Sequence, residues 1–369
     1  MIQAILFPAL SIAGLAAALA LIILVAERYL MDYGEVELAI NDEKKLTVKG
    51  GGTVLSTLKE QKIFIPSACG GRATCAYCKV KAVSGFGELL PTEAPLLTKE
   101  EIAESVRLSC QIKIKNDVAI GIPEELFYIK EYQAVLEQVV DLTYDIKGFR
   151  FRLIEPHTIE YKPGQYIQFQ TPEYGDSDES VYRAYSMSGV PTERHHVDLM
   201  VRLVPEGIST TYMFDYLNEG DEVTFTGPFG DFYLRDTGRR MICIAGGSGM
   251  APIRSILRSM TREEIAQRQP IFFFGARLKR DLFLVDEWKE LEERNPGFTF
   301  VPALSQPEPD DAWEGETGRI TEVVERFVQT GVEDAEGYLC GSPGLLNACV
   351  ECLTNAGIDE ERIFYDKFE

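Results

Sequence analysis

Cys69-Gly70-Gly71-Arg72-Ala73-Thr74-Cys75-Ala76-Tyr77-Cys78 is the stretch on which the rest of the chain depends, and a fourth cysteine follows in Arg107-Leu108-Ser109-Cys110-Gln111. Cysteines at C-x5-C-x2-C with a remote fourth suit a [2Fe–2S] cluster, whose plant-type loops differ by one residue, C-x4-C-x2-C. Such a cluster needs thiolates on a tight loop, with backbone N–H groups turned inward against the negative charge. Gly70 and Gly71 allow the positive-φ turns this requires. A structural zinc site and a disulfide pair are the competing readings. Zinc sites usually bring two short paired C-x2-4-C units, and this region has one. The expectation is a cluster held by Cys69, Cys75, Cys78 and Cys110.

A chain of 369 residues predicts two or three domains with ample apolar residue for their cores. A formal net charge of −21 argues against nucleic acid as a partner. Eight cysteines are present. The four outside the cluster set, Cys243, Cys340, Cys349 and Cys352, lie in apolar or glycine-flanked text, as reduced thiols of a reducing compartment would.

From Ile2 to Ala26 the chain is apolar apart from Gln3 and Ser11, long enough to cross a hydrocarbon core of ~30 Å. A secretory signal peptide competes, with Ala18-Leu19-Ala20 resembling a cleavage site. No Lys or Arg precedes the segment, however, and it is too long for a signal core. Arg28, Lys44, Lys45 and Lys49 follow it, and the positive-inside rule then places the body in the cytoplasm. Residues 1–28 are expected to be a single-pass anchor in the inner (plasma) membrane.

Val36–Ile40 alternates as a strand, Asn41-Asp42-Glu43 turns the chain, and Leu46–Val48 returns it. Thr53 is placed to cap a helix over Val54–Glu60. Cys78–Val83 reads as a strand, and Thr98-Lys99-Glu100-Glu101 as a capping box opening a helix before Cys110. Gly121-Ile122-Pro123 reads as a breaker. Val135–Val140, Phe149–Leu153, Tyr166–Phe169 and Val197–Arg202 are successive strands, as in a small antiparallel barrel. Beyond Gly238, the apolar runs Met241–Ala245, Ile271–Gly275 and Tyr338–Cys340 alternate with helical text and predict a parallel α/β domain.

Arg183-Ala184-Tyr185-Ser186 ends a barrel strand. An arginine there can pair with a pyrophosphate, an aromatic can lie on an isoalloxazine face, and a hydroxyl can reach flavin N5. Gly207-Ile208-Ser209-Thr210 supplies backbone N–H and hydroxyl groups for a second phosphate contact. Ala245-Gly246-Gly247-Ser248-Gly249-Met250-Ala251-Pro252 joins a strand to a helix, with glycines that let backbone approach a nucleotide. It lacks the G-x-G-x-x-G fingerprint, and a plain strand–helix turn is the bland alternative. Cys340-Gly341-Ser342-Pro343-Gly344 ends a later strand, where a small soft side chain suits the edge of a nicotinamide; a free buried cysteine is the alternative.

Taken in order, these motifs resemble the ferredoxin–NADP reductase superfamily joined to an N-terminal ferredoxin domain. Within it they resemble one family, the F subunits of sodium-translocating NADH:quinone oxidoreductases. Arg107–Gln111, Ile122-Pro123-Glu124-Glu125, Arg183–Met187, Gly227-Pro228-Phe229-Gly230, Gly249–Pro252 and Asp366-Lys367-Phe368 carry the resemblance over nearly the whole chain. It implies a multidomain α+β protein: a transmembrane anchor (1–28), a β-grasp ferredoxin domain (33–122), an antiparallel β-barrel FAD domain (129–236) and an α/β NADH-binding domain (237–369). Arg183, Tyr185 and Ser186 would hold FAD, with Gly207, Ser209 and Thr210 on its phosphates. Gly247, Gly249, Cys340 and Gly341 would line the NADH site, Ser186 and Cys340 bounding the reacting atoms. Phe368 would cover the flavin face that nicotinamide takes. The implied partners are NADH and the membrane subunits of a quinone-reductase complex. Two departures bear on docking to such a complex: the stretch from Tyr166 to Arg183 is short where the family carries an insertion, and Arg72-Ala73 stands where the family is commonly glycine-rich.

The resemblance favours NADH. A 2′-phosphate wants clustered cations, and Arg277, Lys279 and Arg280 keep NADPH in contention. A reductase component of an oxygenase or of another membrane redox system is the alternative use of the same modules. Cys349 and Cys352 read as helix core rather than as a redox pair, and His157, His195 and His196 as loop residues rather than metal ligands.

Overall fold

The computed structural model describes residues 14–19, 21, 33–67, 69–175, 177–328 and 331–367. The expected anchor therefore falls almost wholly outside the described residues. Of it, 14–19 and 21 are helical, and among the described residues no helix is long and apolar enough to cross a membrane. The chain divides into two compact units, Met1–Tyr128 and Ile129–Glu369.

The first unit holds a five-stranded sheet in the order β2-β1-β5-β3-β4, from β1 (Glu35–Ile40), β2 (Lys44–Lys49), β3 (Lys79–Ser84), β4 (Val106–Leu108) and β5 (Val118–Gly121). Asn41 and Asp42 make the hairpin turn with φ of 53° and 58°, a conformation these two side chains tolerate better than most. Alternation puts Val36, Leu38 and Ile40 in the core, where they meet Val54 and Leu58 of the helix Val54–Glu60. Thr53 Oγ1 accepts the Ser56 N–H at 3.1 Å, a cap worth about 1 kcal/mol. The capping box at Thr98 closes on both sides.

A buried ion pair ties residues 87–93 to β4. Arg107 Nη2 donates to Glu93 Oε2 at 2.6 Å, and Glu93 also accepts the Leu108 N–H at 2.8 Å. Arg107 Nη1 donates to the Gly87 carbonyl at 2.9 Å. Glu93 is 0 % exposed, so the carboxylate survives burial only because these donors surround it.

The second unit begins with a six-stranded antiparallel sheet, β10-β7-β6-β11-β8-β9. Its strands are β6 (Lys130–Asp141), β7 (Ile146–Glu155), β8 (Tyr166–Thr171), β9 (Val181–Ser186), β10 (His196–Arg202) and β11 (Glu222–Phe229). A bridge from Met187 to Leu199 joins the end of β9 to β10 and closes the barrel. Phe149, Phe151, Phe169 and Phe225 fill it.

The remaining sheet runs β15-β14-β13-β12-β16-β17, all parallel, from β12 (Met241–Gly246), β13 (Ile271–Ala276), β14 (Thr299–Leu304), β15 (Glu316–Thr317), β16 (Glu336–Gly341) and β17 (Ile363–Lys367). Helices cover both faces. Met241, Cys243 and Ala245 enter one core and Ile242 and Ile244 the other, which is why the strand reads as one unbroken apolar run. The chain leaves β12 to one side through β13 and returns on its other side through β16. That reversal opens a crevice at the carboxyl ends of the central strands, where ligands of open α/β sheets bind.

Candidate active site and cluster cradle

The cluster loop is shaped by positive φ at Gly70 (66°) and Gly71 (89°), as expected, and also at Ala73 (56°) and Ala76 (57°). Gly71 N–H donates to Ser67 Oγ at 3.0 Å. Backbone N–H groups turn onto the sulfurs: those of Thr74 and Cys75 onto Cys69, that of Tyr77 onto Cys75, that of Ala73 onto Cys110. Cys75 Sγ donates to Cys69 Sγ at 3.4 Å, and this bond pulls the Cys69 thiol down to about 3. Cys78 does the same for Cys110, drawing it to about 7. The donors Cys75 and Cys78 move up in turn.

All eight cysteines are free. Among the described residues no three His, Cys, Asp or Glu side chains gather around one ion position. The four cysteines stand instead as two pairs, Cys69 with Cys75 and Cys78 with Cys110. Two cysteine pairs suit the two irons of a [2Fe–2S] cluster. Ser109 Oγ, buried next to Cys110, has no hydrogen-bond partner.

On the barrel, Tyr185 OH donates to Ser209 Oγ at 3.0 Å and Thr171 Oγ1 donates to the same atom at 2.7 Å. Ser209 thereby accepts twice and keeps its own proton for a further acceptor. Burial pushes the Tyr185 hydroxyl up to about 12. Gly207 precedes the turn Ile208–Thr211, and a Cβ there would stand 2.7 Å from Thr210 Oγ1. Thr210 Oγ1 is spent inside the turn, accepting the Val204 N–H at 3.2 Å and donating to the Val204 carbonyl at 3.2 Å. Arg183 Nη1 donates to the Tyr182 carbonyl at 2.8 Å, leaving other guanidinium donors for an anion. Arg183, Ser209 and the turn's N–H groups thus lie on one part of the barrel, with the Thr210 hydroxyl bonded inside the turn.

At the sheet crevice, Gly247 has φ of 56°. A Cβ on Gly249 would come within 2.3 Å of the Cys340 carbonyl oxygen, so the loop after β12 lies directly on the end of β16 and only glycine fits. Ala245 faces Cys340 across those strands. Cys340 is fully buried, its thiol raised by that burial and by Asp366. Asp366 faces Cys340 from β17 and accepts the Ser186 Oγ proton at 3.1 Å. Burial pushes the Asp366 carboxyl up to about 6 against the pull of that bond. Ser186, Cys340 and Asp366 therefore meet where barrel and α/β sheet join. Phe368 lies outside the described residues.

Two residues of the site carry no local mark in the sequence. Asp366 belongs to the terminal Asp366-Lys367-Phe368 match, where Phe368 rather than Asp366 was singled out. Arg202 ends a predicted strand; its Nη1 stands 3.6 Å from where a Cβ of Gly247 would be, and Asp145 Oδ2 accepts its Nε–H at 2.7 Å. A cation over a glycine loop suits a nucleotide pyrophosphate. The three cations that kept NADPH in contention are engaged elsewhere. Arg277 Nε donates to Gln306 at 2.8 Å, Lys279 Nζ to the Asp311 carbonyl at 2.6 Å, and Arg280 lies over the Tyr144 ring at 5.5 Å.

Three family descriptions match: a 2Fe-2S iron-sulfur cluster binding domain over residues 38–115, an oxidoreductase FAD-binding domain over 133–233 and an oxidoreductase NAD-binding domain over 243–351. The F subunit of the Na(+)-translocating NADH-quinone reductase of Pseudomonas aeruginosa is 37% identical, across 94% of this chain and 94% of its own length. That of Neisseria gonorrhoeae is 36% identical, across 95% and 96%. Among solved structures, the Amycolatopsis cytochrome P450 reductase GcoB superposes with a TM-score of 0.72 at 28% identity, covering 90% of this chain and 98% of its own. The ferredoxin reductase of carbazole 1,9a-dioxygenase gives 0.68 at 25% identity, covering 91% and 99%. The chain belongs to the family of Na(+)-translocating NADH-quinone reductase F subunits, and it is an NADH-dependent oxidoreductase of FAD and a [2Fe–2S] cluster.

Proposed function

We propose that this chain is the NADH-oxidising subunit of a membrane-bound, ion-translocating quinone-reductase complex, held there by residues 1–28 with its domains in the cytoplasm. The observation that carries the catalytic part is the meeting of Ser186, Asp366 and Cys340 beside Gly249. The apolar segment and the relatives' names support the membrane part.

Bound FAD supplies a two-electron acceptor able to release electrons singly, and the [2Fe–2S] cluster supplies a one-electron carrier. The chain's own residues bind and orient. Arg202 and the Gly246–Gly249 loop take the NADH pyrophosphate. Cys340, small and uncharged, bounds the nicotinamide without blocking it. Asp366 accepts a hydrogen bond from Ser186 and so fixes the orientation of that hydroxyl, which would be a positioning contribution beside bound FAD. Arg183, Ser209 and Tyr185 hold the flavin. Cys69, Cys75, Cys78 and Cys110 hold the outgoing electron carrier, so the hydride site and the one-electron exit are separate parts.

The test is to purify the protein from membranes and identify what accompanies it. Co-purification with integral-membrane subunits, and quinone reduction lost on deleting residues 1–28 while NADH oxidation by ferricyanide persists, supports the reading. A deleted form that still serves the natural acceptor fully sinks it. The second reading, an oxygenase reductase, draws on the likeness to GcoB and the carbazole dioxygenase reductase; co-purification with a soluble oxygenase would decide for it.

A further inference from the structure

Ser109 is 0 % exposed, and its hydroxyl oxygen has no partner. A buried hydroxyl left unpaired costs about 1–3 kcal/mol, so its retention calls for an acceptor. β3 and β4 pair Lys79 with Leu108, and the next pair along is Cys78 with Ser109, joined by the Ser109 N–H donating to the Cys78 carbonyl at 2.8 Å. Residues opposite each other in an antiparallel pair project to the same face. Cys78 and Ser109 thus stand side by side, both closed to water. The Leu55 N–H holds the Ser109 carbonyl at 3.0 Å, and the Arg107–Glu93 pair anchors β4 two residues earlier. The backbone that aims this hydroxyl is fixed from both sides.

We propose that Ser109 donates an O–H···S hydrogen bond to the Cys78 thiolate of the assembled cluster and thereby raises the cluster's reduction potential. The proposal rests on the cluster assignment. Reduction adds one electron, delivered from the NADH-reduced flavin, and the hydroxyl keeps its proton throughout. The added negative charge spreads onto the ligand sulfurs, so a donor to one of them stabilises the reduced form more than the oxidised form. With Cys78 shut off from water, no solvent molecule replaces the donor when it is removed.

The test is a potentiometric titration of the full-length protein, following the EPR signal of the reduced cluster. Ser109→Ala is expected to make reduction about tenfold less favourable, a negative shift of about 59 mV for one electron. Ser109→Thr keeps the hydroxyl and should titrate with the parent. Ser109→Cys keeps the shape with a weaker donor and should fall between parent and Ala. The same variants, exchanged into D2O, should lose one exchangeable-deuteron coupling to the cluster in Ala and keep it in Thr. Ala or Cys titrating with the parent, or Thr titrating with Ala, overturns the proposal. Should the Ala variant not assemble a cluster, the Cys and Thr forms decide. Loss of cluster signals from the parent itself would overturn the cluster assignment instead.

Discussion

The cluster cradle and the hydride site differ in how they are assembled. Three of the cradle's four ligands lie within Cys69–Cys78, and the fourth comes from the strand end that pairs beside them. The proposed hydride site draws on Arg183–Ser186, Gly207–Ser209, Gly246–Gly249, Cys340 and Asp366, which come from segments far apart in the chain. Charge divides the same way: residues 33–128 carry 12 Lys or Arg against 13 Asp or Glu, and residues 129–369 carry 24 against 43. The cradle is defined by its donor atoms; in the hydride site the backbone does most of the shaping and few side chains are committed. Damage should therefore be all-or-none in the first and graded in the second.

Cys75→Ser is the hardest blow to that contrast. It should abolish the cluster's visible and EPR signals while NADH still reduces the flavin at the parent's rate; loss of flavin reduction as well would break the separation of the two parts. Arg107→Met leaves Glu93 buried without its cation, a loss of about 3–5 kcal/mol. Bleaching of the cluster in urea should move to lower denaturant, with the flavin's release unmoved. Gly249→Val forces its side chain into the Cys340 carbonyl, and misplacement by an ångström costs about 10²-fold. Stopped-flow flavin reduction by NADH should fall accordingly while dithionite still reduces the cluster. Asp366→Asn gives the smallest effect, and it concerns pH. The Asp366 carboxyl titrates at about 6 rather than its usual 3.8, so between those values the folded protein holds a proton that the unfolded chain has released. Stability contributed there falls as pH rises toward 6, and the Asn variant should lose that slope. Flavin reduction should slow below about pH 6 as the carboxylate that orients Ser186 is neutralised, and this inflection should be missing in Asn; an unchanged profile would remove Asp366 from the site.

The same contrast explains what the sequence disclosed. Thiolate spacing is a short-range signal, so the cradle was legible from ten residues and one later cysteine, Cys110, as were the Thr53 and Thr98 caps and the buried strand Met241–Ala245. Asp366 and Arg202 were not, because each acquires its meaning from strand order: Asp366 from β17 pairing beside β16, Arg202 from β10 ending over the β12 loop. Thr210 was expected on a phosphate with Gly207 and Ser209, through backbone N–H and hydroxyl groups; its hydroxyl is bonded to Val204 within the turn. β4, β5, β11, β14, β15 and β17 went unmarked: β4 and β15 are only three and two residues long, and the others pair with strands distant in the chain.

The central claim is that hydride enters at one site and single electrons leave through another. Anaerobic rapid mixing with one equivalent of NADH, followed at flavin wavelengths and by freeze-quench EPR, tests it most directly. Flavin bleaching should come first and the reduced-cluster signal second, with the second phase missing in Cys75→Ser and the first intact. A cluster signal that rises before the flavin bleaches, or without it, would contradict the account.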